Sequence, residues 1–304
     1  GWGRGQRVKT LEFLSSPEVR AMYVDALLAG LPVVVMCALL SVLTVVKRLG
    51  FVGQGISHSA FGGVGIAAVL MGLGWMPASP EWAAFAQFGV IVVFCLAAGW
   101  GIGMISNRRE LPVDTAIGVF LVSSMALGAV LVQVGRQLAA SNHRVGMVQS
   151  WESILFGSIM GAGKGDIVLG NVLCVLVLGA LLWYRRRILF WTLDEESAKA
   201  FGISSTGMRF LIMTLLAVAI VTAMKLMGVI LATALLTLPG AIAMRASARL
   251  MRVLTISVVA GVTGLIGGMV LSIETDWPTG PSVVAVLTMI FACVSFLPRS
   301  LRAS

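Results

Sequence analysis

The chain has 304 residues and a net charge of +9, yet only 12% of it is charged and 58% is hydrophobic, with a mean hydropathy of +0.98. An ordinary soluble domain carries about twice that share of charge, so a chain this poor in polar residues cannot cover a core in water and belongs in lipid. The basic excess is not a nucleic-acid footprint either, because it collects on one side of a membrane.

Residues 1–19 are predicted to form an N-terminal interfacial segment, residues 20–299 one transmembrane domain, and residues 300–304 a short tail. Cutting the sequence at its charged residues leaves uncharged spans at 26–46, 54–75, 82–107, 115–135, 167–184, 210–224, 226–244, 253–273 and 277–298. Most approach the roughly 20 residues that cross about 30 Å of hydrocarbon as a helix. Backbone groups in lipid must be satisfied internally, and these spans lack the polar–apolar alternation of barrel strands. The expected fold is therefore all-α: a polytopic bundle of eight or nine transmembrane helices, depending on whether 210–244 crosses once or twice.

If consecutive spans alternate direction and Arg185-Arg186-Arg187 is cytoplasmic, that side holds 14 basic and 5 acidic residues, and the other holds 8 of each. The whole excess then lies inside, as the positive-inside rule expects. The four cysteines, Cys37, Cys95, Cys174 and Cys293, sit singly in apolar spans and read as packing residues.

Two loops are long. Residues 136–166 are external and include His143, Trp151 and "ILFGSIMGAGKGD". Residues 185–209 are cytoplasmic, and their "LDEESAKAFG" reads as a short helix. Asp194, Glu195 and Glu196 favour its N-terminal end through the macrodipole, and Gly202 suits its stop. Such a helix is either a rigid peg for another protein or an ordinary solvated loop.

"DEESAKAFGI", followed by "KLMGVILATALLTLPGAIA", resembles the permease subunits of bacterial ABC importers for manganese, zinc and iron. Ala234–Ala243 matches that family's "ALLxxPxAxA", "ISHSAFGGVGIA" resembles its "SHAxLPGVAxA", and "DTAIG" at 114–118 and "LFGSI" at 155–159 agree in the same order. The resemblance implies a fold like that of the vitamin B12-type, or type II, permeases. It also implies a coupling helix spanning Asp194, Glu195, Glu196, Ala198, Ala200 and Gly202 that docks on an ATPase. The implied partners are cytoplasmic ATP-binding-cassette subunits, an external solute-binding protein, a second copy of the permease and membrane lipid. Nucleic acid is not among them. The implied cargo is a divalent metal ion in a bacterial plasma membrane, with no covalent cofactor and with ATP on the partner subunit. A phosphate-binding loop needs GxxxxGK before Ser or Thr, but Gly163-Lys164 has Ser158 and Gly165 at the required positions, so energy must come from outside the chain.

Within the span 54–75, Gln54 and His58 lie one helical turn apart, with Gly62 and Gly65 close to the same stripe and little side chain nearby. An ionisable ring in a membrane faces a bundle interior or a wet path, and imidazole is a common ligand for transition metals. His58 therefore either lines the path or donates one hydrogen bond to a backbone carbonyl and holds two helices together. The family commonly has aspartate where this chain has Gln54, which removes a charged ligand and makes another metal or a larger chelate more credible as cargo.

Lys225 either marks a broken helix or snorkels to the interface, and Pro239-Gly240 should bend the following helix for gating or for packing alone. Asp25, Glu274 and Asp276 are external carboxylates, and His143 has no partner at a ligand spacing. The rival readings are an ABC permease for haem, a siderophore or another chelate, an ion-coupled secondary transporter, and an intramembrane hydrolase using Ser57 or Ser59 with His58. The secondary transporter would need intramembrane carboxylates, and the spans contain almost none. The hydrolase lacks a nucleophile elbow and a second catalytic carboxylate.

Overall fold

A computed structural model of the chain describes residues 17–77, 79–107, 112–141 and 164–296. Those residues form α1 Pro17–Val46, α2 Gly50–Leu73, α3 Pro80–Asn107, α4 Val113–Ser141, α5 Lys164–Leu193, α6 Glu195–Ala200, α7 Ser205–Met227, α8 Val229–Leu235, α9 Leu238–Ala246, α10 Leu250–Thr275 and α11 Thr279–Phe296. Among the described residues nine spans are long and apolar enough to cross a membrane, with α8 and α9 counted together as one. The region 210–244 thus supplies two spans. They part at Gly228, whose φ of 86° falls where side chains are disfavoured and glycine is not.

The interfacial segment 1–19 lies mostly outside the described residues, as do the tail 300–304, His143, Trp151 and the "LFGSI" stretch. Two local expectations are corrected. The loop 185–209 is not a loop at its start, because α5 continues through the three arginines to Leu193. Residues 185–193 include no Gly or Pro, so nothing in them stops the helix at the end of the apolar span. Nor do Pro239 and Gly240 bend a helix, because Pro239 lies in the first turn of α9 and the break precedes it at Leu236–Thr237. Proline has no amide to donate to a preceding turn, so it is tolerated where a helix begins.

The core is built on close backbone approach. α2 and α4 meet along glycines: a methyl at Gly65 would sit 2.9 Å from the Gly128 carbonyl oxygen, and one at Gly72 would sit 2.8 Å from that of Gly135. From the other side, a methyl at Gly135 would come within 2.5 Å of the Ala68 carbonyl carbon. Small residues permit this because lipid supplies no hydrophobic drive between helices, so association rests on packing. α7 is the central element, with Ile212, Leu216, Ile220 and Leu226 fully buried against α1, α2, α3 and α5. Around α1, Ser41 and Ser257 both donate to the Ala38 carbonyl at 2.7 Å, tying α1 to α10.

Charge marks the two ends of the bundle. Lys47, Glu195 and Arg209 bring together the end of α1, the start of α6 and the start of α7. Lys225 and Asp166, 2.8 Å apart, join the end of α7 to the start of α5. The Lys225 ammonium also lies 4.7 Å from the Phe88 ring centre, so the lysine is held by an ion pair and an aromatic face rather than hanging free. α7 therefore runs from one end to the other. After Gly228 the chain turns back, since Leu236 touches Thr44 in the last turn of α1 and Gly53 in the first turn of α2.

Candidate functional site

The peg is a fully capped single helix. Asp194, in an extended conformation, accepts from the amides of Glu196 and Ser197 at 3.1 and 3.0 Å. At the other end Gly202, with φ of 79°, donates to the Lys199 carbonyl while Ile203 donates to that of Ala198. This pair of bonds is the Schellman closure that a left-handed glycine permits. Ala198 is buried beneath the peg, and Glu196, Ala200 and Phe201 are exposed. Phe201 leans edge-on against Phe190 of α5 at 5.6 Å.

Hydrogen bonds from Ser197 hold the Asp194 carboxyl below its ordinary range. A depressed folded-state value means that the cap contributes above the unfolded carboxylate pKa and is lost as pH falls through the folded value. We expect Asp194→Ala to speed amide exchange at Glu196 and Ser197 severalfold at neutral pH, with Asp194→Asn much less affected because asparagine also caps. Equal exchange in all three proteins would refute the capping role.

Glu195 does not belong to the exposed face. Its carboxylate lies 3.6 Å from Lys47 and 3.8 Å from both Lys199 and Arg209. Lys47 also stands 3.8 Å over the Trp191 ring, and the Trp191 indole donates to the Ser205 hydroxyl at 3.2 Å. Burial lowers the Lys47 pKa, and the neighbouring Glu195 opposes that shift. The acidic run thus divides by function: Asp194 caps, Glu195 tethers, and Glu196 faces outward. Lys47, Trp191 and Arg209 were not legible as parts of this site, because they come from three different segments.

The second locus is a cavity of about 480 Å³ beside the first turns of α2, where Gln54 is exposed. Thr233 and Thr237, one turn apart across the α8–α9 break, line its opposite wall, and Phe51 and Val284 complete the apolar part. Among the described residues no ionisable side chain lines it. Thr233 and Thr237 were missed in the sequence, although their i,i+4 spacing beside Pro239 was a usable signal. The break is held from behind: Thr44 donates its hydroxyl to the Leu236 carbonyl at 2.8 Å. A methyl at Gly240 would lie 2.5 Å from the Ser41 carbonyl oxygen.

His58 lies one turn further along α2, half-buried and outside the lining of that cavity. Its ring stacks on Phe61 at 5.9 Å, and its Nδ1 has no hydrogen-bond partner among the described residues. A helix-bridging role through Nδ1 would need such a bond. Gly62 faces the Phe94 ring of α3, and Gly65 faces α4, so both serve packing in this arrangement. Ser57 and Ser59 donate to the carbonyls of Gln54 and Gly55 on their own helix, which leaves neither poised as a nucleophile. Asp25 is exposed near the start of α1, and Glu274 and Asp276 end α10 on the side away from the peg. Among the described residues no group of three His, Cys, Asp or Glu side chains could hold a metal ion.

Comparison with known proteins gives a consistent answer. The profile described as the ABC 3 transport family matches residues 20–298. The chain is similar to the high-affinity zinc uptake system membrane protein ZnuB of Haemophilus influenzae, at 28% identity over 271 residues, covering 89% of this chain and 95% of that one. It is likewise similar to the manganese transport system membrane protein MntC of Halalkalibacterium halodurans, at 28% identity over 272 residues, covering 90% and 86%. Among solved structures it resembles a chain of PsaBC from Streptococcus pneumoniae in complex with Fab. That match has a TM-score of 0.76 and 25% identity, and it covers 96% of this chain and 98% of that one.

Proposed function

The chain belongs to the ABC 3 transport family, and we propose that it is the membrane permease of an ATP-driven importer for a divalent transition metal, manganese or zinc before iron. It is an all-helical, multi-pass protein of the bacterial inner membrane. Two copies form the path, two cytoplasmic ATPase subunits receive the α6 pegs, and an external binding protein delivers the metal. The observation that carries this reading is the peg itself: a capped helix, exposed on one face and tied by Glu195 to the ends of two spanning helices. A lever needs rigidity at its tip and a firm joint at its base, and α6 has both.

Closure of the ATPase dimer pushes on Glu196, Ala200 and Phe201. Through Glu195 the push reaches Lys47 on α1 and Arg209 on α7. Thr44, in the same last turn of α1, then acts on the Leu236 carbonyl, and so on the α8–α9 break that walls the Gln54 cavity. The break is a natural place for two arrangements, because its backbone is not locked into one continuous helix. Gln54, Thr233 and Thr237 present neutral oxygens to the passing ion, and His58 presents a neutral nitrogen. Such donors bind a divalent cation transiently, which suits passage rather than storage.

The test is metal accumulation in cells that supply the ATPase and binding protein. His58→Ala should cut uptake by about 5- to 10-fold, the range of a 1–1.4 kcal/mol change in transition-state stabilisation. Gln54→Asp should strengthen metal retention and slow release. Normal transport by His58→Ala would remove that ring from the path. The uncharged lining of the 480 Å³ cavity also favours a second reading, in which the cargo is a metal chelate. Uptake that saturates with a chelate and not with the free ion would select it.

A further inference from the structure

α5 and α10 both pack on α1 but scarcely on each other, which leaves a slot of about 230 Å³ between them. Its floor is Leu39 and Leu43 of α1, and its walls include Leu178 and Leu181 of α5 and Leu254 of α10. Among the described residues one charged side chain lines it, Arg185. We propose that this slot is a binding site for an anionic glycerophospholipid of the cytoplasmic leaflet, with one acyl chain in the groove and the phosphate on Arg185.

Three observations support this proposal, and none depends on what the permease carries. The slot lies toward the cytoplasmic end, since Leu43 stands one turn before Lys47, and Met251, another lining residue, stands in the first turn of α10. Among the described residues no carboxylate pairs with Arg185, and the run Arg185-Arg186-Arg187 is exposed throughout. A slot whose walls are aliphatic and whose single charge is positive fits a molecule with a hydrocarbon tail and a negative head. The surrounding bilayer holds such molecules at high concentration. A guanidinium can grip a phosphate through two parallel hydrogen bonds, and a basic cluster at the cytoplasmic surface prefers anionic headgroups.

The test uses the full chain purified in mild detergent. Bound lipid is counted by native mass spectrometry after addition of phosphatidylglycerol or phosphatidylethanolamine with identical acyl chains. The wild type should hold one phosphatidylglycerol about tenfold more tightly than phosphatidylethanolamine, and inorganic phosphate should not displace it. Arg185→Gln should abolish that preference, whereas Arg187→Gln, on another side of α5, should keep it. Leu39→Phe, which fills the floor, should lose both lipids. An unchanged melting temperature for each variant will establish that the bundle is intact. Equal retention of the two lipids, an unaltered preference in Arg185→Gln, or a crosslink from Leu181 to a second copy of the chain would each overturn the proposal.

Discussion

Replacing Gly128 with valine will destabilise the bundle by about 1–3 kcal/mol, the usual cost of forcing extra carbon into a filled core. The new Cβ would collide with the Phe61 carbonyl group and lie 3.0 Å from the Gly62 amide nitrogen. Both obstacles are backbone, so no side chain can rotate away and α2 and α4 must separate. Separation breaks the whole glycine seam, because a Cβ added at Gly65 or Gly72 would also lie less than 3.0 Å from an α4 backbone oxygen. Gly179 on α5 is the matched control: nothing lies within 4 Å of its added Cβ, and it too is helical. Gly179→Val should melt within a degree or two of the wild type, and Gly128→Val several degrees lower, as read by the thermal unfolding of purified protein. Gly128→Ala should fall between them, since alanine recovers up to about 1 kcal/mol of helix propensity while meeting the same carbonyl. Should the two valine variants melt together, the seam is not what holds α2 in place.

That seam also explains what could and could not be read before the fold was known. Among the described residues the nine uncharged stretches coincide with nine spanning elements, because charge is costly in hydrocarbon and each segment must satisfy its own backbone as a helix, and both constraints act on each segment by itself. Asp194 and Gly202 were legible for the same reason: capping is local chemistry between residues a few positions apart. Partners drawn from different segments were not legible. Glu195 and Glu196 are identical in composition, yet one turns inward to Lys47 and Arg209 and the other turns out. Only the packing of α6 against α5 and α7, with Lys47 beside it, separates them. The break between α8 and α9 was half visible, since Pro239 announced a discontinuity but not that it would begin a helix. Gln54 and His58 were grouped as one site by helical spacing. In the structure Gln54 opens on the cavity walled by α8, α9 and α11, whereas His58 stacks on Phe61 of its own helix outside that lining, so helical spacing foretold the shared stripe but not what stands across from it.

The same split between the two glutamates yields the second large effect. Glu195→Lys places an ammonium among Lys47, Lys199 and Arg209, where a single carboxylate had faced all three. Each of these pairs is partly exposed and by itself contributes only about 0–1 kcal/mol, so the bundle should not unfold. The joint at the base of the peg is what fails: repulsion from Lys47 and Arg209 frees α6 from α1 and α7 while its caps at Asp194 and Gly202 remain. Under the proposed function the ATPase still docks and still hydrolyses ATP, but its stroke no longer reaches the α8–α9 break. Uptake should then fall about tenfold or more, within the usual range of coupling between sites. Under the same proposal Glu196→Lys gives the opposite pattern, because that side chain is exposed on α6 and faces the proposed partner: the ATPase should co-purify poorly and its stimulation should be lost along with uptake. Glu195→Gln keeps the shape and removes the charge, and should transport at an intermediate rate. The decisive comparison is uptake per ATP hydrolysed by the reconstituted complex. If Glu195→Lys keeps the wild-type ratio, the carboxylate is not the joint, and force must enter the bundle elsewhere along α5 or α7.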